Sequence, residues 1–234
     1  MKNENKNAQE LGSYVNVRRH ILNKNSSFVM KEAYKTLRTN IRFFLRTEGC
    51  KRICITSAAS GEGKSITLLN LAISIAEAGQ KVLLIDADMR RPALARLLVE
   101  KAAPGLSNVL ANITSIDETI RTGLYPNLDI LFSGDVPPNP SELLSSGAME
   151  KLIADMTDRY DYILLDTPPV NVVSDACLVA NLIDGVLLLA RQNRSKKDAV
   201  KRAVSNLQLT GANLLGFVLN DAELLDVKPD FRYG

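Results

Sequence analysis

Arg52-Ile-Cys-Ile-Thr-Ser-Ala-Ala-Ser-Gly-Glu-Gly-Lys-Ser65 decides how the rest of the chain is read. A short β-prone run, 52–56, feeds a turn-rich loop, 57–63. A helical pattern follows over 64–78, with Ile66, Leu69, Ile73 and Ala76 on one face and Gly79 as its stop. Ala58 to Ser65 fits the phosphate-loop pattern with Ala in the place of the first Gly. Gly61 and Gly63 let the backbone turn so that successive N–H groups point inward at phosphate oxygens, and the helix start adds its positive end. Lys64 is expected to bridge the terminal phosphates and Ser65 to ligate Mg²⁺ through its hydroxyl. The nucleotide-contacting stretch is therefore Ala59, Ser60, Gly61, Glu62, Gly63, Lys64, Ser65 and Ile66.

Working outward, continuous apolar runs at 81–85, 128–132, 162–165, 184–190 and 214–219 read as buried strands. Helical patterns at about 29–46, 140–157, 174–181 and 196–209 lie between or before them, and 92–124 reads as irregular with short helices. Strands alternating with helices predict an α/β fold, a doubly wound, mostly parallel sheet covered on both faces. Within the 29–46 pattern, Ala33, Leu37, Ile41 and Phe44 are the expected inward face. Ligands of such sheets sit beyond the carboxyl ends of the strands. Two acidic sites end strands there: Asp86 with Asp88 in Ile85-Asp-Ala-Asp-Met-Arg90, and Asp166 in Leu164-Leu-Asp-Thr-Pro-Pro169. Alternate residues of an extended chain point the same way, so Asp86 and Asp88 can face one Mg·ATP. Arg90 and Arg91 are candidates to neutralise phosphate or to bind a neighbouring subunit.

Composition narrows the alternatives. The 234 residues are 46% hydrophobic and 24% charged, too apolar for a disordered chain and ordinary for a globular one. Aromatics make up 5% with no Trp, which disfavours base-stacking platforms, and no nucleic-acid partner is expected. No apolar run reaches the roughly 18 residues of a membrane span, and 1–12 lacks the apolar core of a secretory signal, so a cytoplasmic location is expected. Cys50, Cys54 and Cys177 show no paired spacing and read as free thiols. Residues 1–52 carry 12 Lys/Arg against 4 Asp/Glu, a net +8, whereas 53–234 carry 17 against 22, a net −5. The expected organisation is a flexible basic arm (1–27), a nucleotide-binding domain (28–220) and a flexible tail (221–234). The arm is suited to an anionic membrane surface or an acidic partner. The sole histidine, His20, reads as a solvated arm residue.

SAASGEGKS, LLIDADMRRP and ILLDTPP, in this order and spacing, resemble the bacterial tyrosine kinases, in particular the Gram-positive type of capsular and exopolysaccharide synthesis. The resemblance spans about 28–220. It implies a P-loop fold of the division-site and partition ATPase superfamily, ATP and Mg²⁺ as cofactors, and phosphoryl transfer to tyrosine. By the same resemblance Lys64, Asp86 and Asp88 are the catalytic set, and Ser65, Asp86, Asp88 and Asp166 form the Mg²⁺ environment. Asp86 and Asp88 include the acceptor of the tyrosine proton. Partition ATPases carry an extra loop Lys where this chain has Ala59, and the related iron–sulfur carriers need a CxxC pair that is missing here.

Three further features follow from the likeness. Glu32, Lys35 and Arg38 resemble the family's Glu-x-x-Arg-x-x-Arg segment, which packs against a neighbour in a ring, with Lys in the middle position. The residues alone allow a second reading, an intrahelical ion pair. Asn220, ending the last strand, either reads the adenine edge or closes a turn. The family's terminal tyrosine cluster is reduced to Tyr233, the expected phosphoacceptor, with Tyr14 as second candidate. A membrane-bound activator supplying a cytoplasmic tail is the implied partner, recruiting the chain to the inner face of the plasma membrane. Two rival readings keep the same site: an ATPase switch, and a nucleotide-sensing clamp on a membrane polysaccharide co-polymerase.

Overall fold

A computed structural model describes residues 18–46 and 48–222. Helix α1 (Phe28–Phe44) precedes strand β1 (Lys51–Ser57), which leads through the glycine-rich loop into α2 (Lys64–Ala76) and β2 (Val82–Asp86). Short helices α3 (Leu94–Leu98), α4 (Leu106–Leu110) and α5 (Ile116–Thr119) lead to β3 (Arg121–Tyr125) and β4 (Leu128–Leu131). Then come α6 (Pro140–Leu144), α7 (Gly147–Thr157), β5 (Tyr162–Asp166), α8 (Asp175–Val179), a 3₁₀ turn (Ala180–Leu182), β6 (Gly185–Arg191), α9 (Lys197–Leu209) and β7 (Leu214–Asn220).

The strands form one seven-stranded sheet in the order β3-β4-β2-β5-β1-β6-β7. Every pairing is parallel except β3 with β4. Successive side chains of each central strand feed opposite layers. Leu83, Ile85, Ile163, Leu165, Val186 and Leu188 pack under α7, α8 and α9. Ile53, Ile55, Leu84, Leu164, Leu187 and Leu189 pack under α1 and α2. Burial on both faces is why these runs are continuously apolar rather than alternating. The doubly wound, mostly parallel α/β fold is thus the one expected. It brings the ends of β1, β2, β5, β6 and β7 to one edge.

Several local readings differ. The 140–157 helix is two, because Ser145 and Ser146 break it and Ser146 caps α7 by accepting from the Met149 N–H. The stretch 92–124 ends in β3, an antiparallel edge strand whose turn is closed by Asn127 at φ 59. Helix α1 is rotated from the expected phase: Ile41 and Leu45 are buried, and Met30, Tyr34 and Leu37 pack beside them, while Phe44 is 67% exposed. The reason is the spacing 30-34-37-41-45, a longer stripe than 33-37-41-44. Strand β7 is half-open rather than buried, because it is the sheet's edge, and Phe217 and Leu219 are exposed.

The expected arm is also shorter than 1–27 on the described side. Ile21 and Leu22 are buried against α2, where the Asn70 carboxamide accepts from the Leu22 N–H (2.7 Å) and donates to the His20 carbonyl (2.8 Å). His20 itself is exposed. Residues 1–17 of the arm and 223–234 of the tail, with Tyr14 and Tyr233, lie outside the described residues.

Candidate functional site

The loop between β1 and α2 takes its shape from two glycines in the left-handed region, Gly61 at φ 77 and Gly63 at φ 101. At Gly63 a side chain is excluded twice over, since a Cβ would lie 2.3 Å from Asn220 Nδ2. The Ser57 hydroxyl donates to the Ala59 carbonyl (2.7 Å), and the Ala59 N–H donates to Glu62 Oε2 (3.1 Å). The Asn220 amide donates to the Glu62 carbonyl (2.9 Å). Lys64 begins α2 and is 8% exposed, and Ser65 and Ile66 follow on its first turn. A helix N-terminus, turned glycines and a buried lysine make an anion-binding concavity.

Next to it stand the acidic residues. Asp86 and Asp166 end β2 and β5 and lie directly across from each other in the parallel register. Both are fully buried. Asp86 Oδ2 accepts from the Ala93 and Leu94 N–H groups (3.2 and 3.1 Å), but its Oδ1 and both oxygens of Asp166 have no hydrogen-bond partner among the described residues. Burial pushes the Asp86 carboxyl well above its usual range, and the Asp166 charge adds to the shift. Burial pushes Asp166 up to about 6; the Lys64 ammonium and the neighbouring Ser65 hydroxyl, which does not close a hydrogen bond, pull it back, and Asp88 raises it further. Asp88 is 8% exposed and accepts from the Arg91 N–H (3.0 Å), so one of its oxygens closes the turn after β2.

Orphaned carboxylate oxygens at the bottom of a phosphate-binding crevice are the donor set of a hard cation. Among the described residues no three of His, Cys, Asp and Glu form a metal cluster by themselves. Mg²⁺ characteristically takes one or two protein carboxylates together with substrate phosphates. The unpartnered oxygens of Asp86 and Asp166 are the donors such an ion would take up.

Other sequence candidates sit elsewhere. Arg90 is held within the chain: its Nε donates to Asp175 Oδ2 (2.8 Å) and its guanidinium also reaches Ser141 Oγ (2.7 Å), tying the β2 turn to α8 and α6. Arg91 is exposed. On α1, Lys35 pairs with Glu32 at 2.7 Å, the intrahelical alternative, and Arg38 donates to the Ser74 carbonyl at the end of α2. Cys54 is buried and Cys50 and Cys177 half-buried, all free; burial lifts the Cys54 thiol to about 12 and Cys50 to about 11, leaving neither nucleophilic. Reading the sequence missed Ser195, whose hydroxyl donates to the Glu62 carboxylate, and Arg191, which reaches the Gly61 carbonyl (3.3 Å). Their position at the carboxyl end of β6 was the available signal. Nothing local marks a partner more than a hundred residues away.

Comparison with known proteins agrees with this geometry. Residues 50–213 match the AAA domain family. The chain is 39% identical over 193 residues to the tyrosine-protein kinase YwqD of Bacillus subtilis, covering 82% of this chain and 81% of the relative. Among solved structures, the chimerical protein CapA2B2 superposes with a TM-score of 0.79 at 37% identity, covering 84% of this chain and 86% of that one. The septum site-determining protein MinD from Pyrococcus horikoshii, solved with Mg-ADP, superposes with a TM-score of 0.62 at 25% identity, covering 77% of this chain and 74% of that one. With 39% identity along four fifths of both chains to a tyrosine-protein kinase, and the same fold as CapA2B2 at 37% identity, the chain belongs to the bacterial tyrosine-protein kinase family.

Proposed function

We propose that the chain is an ATP-dependent protein-tyrosine kinase acting in capsular or extracellular polysaccharide synthesis. The observation that carries this reading is the meeting of a preformed phosphate loop with unpartnered carboxylates at one edge of the sheet, in a chain of this family. The Ser60–Ile66 backbone and Lys64 bind the phosphates, the Ala59 N–H being engaged by Glu62 instead, and Asn220 borders the base end of the crevice. Ser65, Asp86, Asp88 and Asp166 hold Mg²⁺. When bound, Mg·ATP would supply the transferable phosphoryl group, with the cation offsetting the phosphate charge. One carboxylate of the Asp86–Asp88 pair would orient the acceptor hydroxyl and take its proton. A carboxylate is a weak base towards a phenol of pKa ~10, so positioning and late proton transfer matter more than basicity.

The acceptor follows in part from burial. Tyr160 and Tyr162 are buried, and Tyr34 and Tyr125 pack against the core. Desolvation raises the hydroxyl pKa of all four, and Tyr160 also donates to Asp129 (2.9 Å). Tyr233, and secondarily Tyr14, remain as acceptors, besides tyrosines of other proteins. The partner side of the proposal is a membrane-bound activator whose cytoplasmic tail recruits the chain to the inner face of the plasma membrane. Among the described residues no helix is long and apolar enough to cross a membrane. Ring assembly through Glu32, Lys35 and Arg38 belongs to the same proposal and requires the Glu32–Lys35 pair to open.

Phosphotyrosine mapping by mass spectrometry after incubation with Mg·ATP tests the reading, with and without the activator tail and beside Lys64→Met. Phosphate on Tyr233 that depends on Lys64 is the expected result. ATP consumption without phosphotyrosine, activator and candidate substrates present, would replace it with the ATPase switch.

A further inference from the structure

Glu62 is the one loop residue whose charge has the wrong sign. A fixed carboxylate inside an anion-binding loop opposes its ligand, yet Glu62 is 1% exposed, and its side chain is turned to the back of the loop. There Oε2 accepts from the Ala59 N–H (3.1 Å) and Oε1 accepts from the Ser195 hydroxyl. Ser195 Oγ in turn accepts from the Arg191 N–H (2.7 Å), which leaves its single proton directed at Glu62. The Glu62 carbonyl receives the Asn220 amide. One residue therefore ties the entry of the phosphate loop, the turn between β6 and α9, and the end of β7. A buried carboxylate is tolerated only with such donors, and removing the Ser195 hydroxyl leaves Glu62 Oε1 unpaired.

We propose that Glu62 is a positioning residue: clamped by Ser195, it holds the loop from Ala59 to Gly63 in its phosphate-receiving shape before nucleotide arrives, and makes nucleotide affinity depend on the β6–α9 turn. The inference rests on the nucleotide-binding reading above and adds a regulatory route to it. Movement of the β6–α9 turn then reaches the loop through Ser195, beside the Arg191–Gly61 and Asn220–Glu62 contacts from the strand ends.

The test is calorimetric titration of the full chain with Mg·ADP, joined to amide exchange at Ala59 in the nucleotide-free chain. Ser195→Ala is expected to weaken Mg·ADP about tenfold, the scale of one hydrogen bond to a charged group. Glu62→Ala should weaken it further, and the double variant should be no weaker than Glu62→Ala alone, because the two residues act as one unit. Glu62→Gln, whose amide keeps an oxygen for Ala59 and an N–H for Ser195, should restore affinity to within about threefold. Exchange at Ala59 should quicken in Ser195→Ala and stay slow in Glu62→Gln. Wild-type affinity in Ser195→Ala, or losses that multiply in the double variant, would overturn the clamp. If Glu62→Ala fails to fold, Ser195→Ala and Glu62→Gln still decide. Wild-type chain that takes up no Mg·ADP would instead be a failure of the nucleotide reading itself. Binding that is lost in Lys64→Met but unmoved in Ser195→Ala would be a failure of the clamp alone.

Discussion

The phosphate loop and the carboxylate pair occupy neighbouring strand ends of one sheet, yet they are finished to opposite degrees. In the loop, the Ala59 N–H, the Ala59 and Glu62 carbonyls and the Glu62 carboxylate all have partners within the chain. Across the crevice, among the described residues, Asp166 has none for either oxygen and Asp86 lacks one for Oδ1. A loop that is complete without its ligand loses little freedom when the ligand binds. A buried carboxylate without a partner stores an electrostatic deficit that a cation relieves. The difference says that the loop is shaped by the fold alone, whereas the carboxylate pair is left for a bound cation to complete, as proposed above.

Four perturbations test that contrast, from the strongest to the weakest. Lys64→Met removes the buried cation between the two halves and should lower phosphotyrosine formation by at least about a thousandfold, read by radiolabel transfer. Asp166→Asn should split activity from stability. Phosphoryl transfer falls about a hundredfold or more, while the nucleotide-free chain gains about 1–2 kcal/mol in denaturant unfolding, because a disfavoured buried charge is gone. An unchanged or lower stability would break the contrast.

The third is a pH dependence. Burial lifts the Asp166 carboxyl from 3.8 to about 6 in the folded chain, so between these values the folded chain binds more protons. Stability of the nucleotide-free chain is therefore present in full below pH 3.8 as far as this group is concerned, and is lost as pH rises through about 6. Melting curves over that window should show the decline, and Mg·ADP should flatten it. The smallest effect belongs to the finished half. Asn220→Ala deletes one donor to the Glu62 carbonyl and should cost about 1 kcal/mol, some fivefold in Mg·ADP affinity.

The same contrast explains what could be read without coordinates. The phosphate loop is a local object, with its glycines, lysine and serine consecutive, and its strand and helix flank it directly, so its position was legible. Asp86 and Asp166 were legible as strand ends. Their side-by-side pairing depends on β5 inserting between β1 and β2, a fact of strand order that no periodicity carries. The phase of α1 was misjudged because Phe44 looks like a core residue, while the real stripe includes Leu45, just beyond the helix end. The edge strand β3 was hidden because Arg121-Thr-Gly-Leu-Tyr125 has little apolar content and is largely exposed. Glu62 was recognised as a loop member, but its partner Ser195 is 133 positions away and had no local mark.

Asn70 has a practical bearing on where this chain can be shortened. Its carboxamide is spent on His20, Leu22 and the Tyr34 hydroxyl, and it stands in the middle of α2, the helix that starts at Lys64. A truncation beginning at Phe28 would look conservative, since it keeps every regular helix and strand described here. It would nonetheless strip the cover from an apolar floor and leave a buried amide facing water. Insolubility of such a fragment would reflect a missing piece of the nucleotide-binding body, with no bearing on the kinase reading.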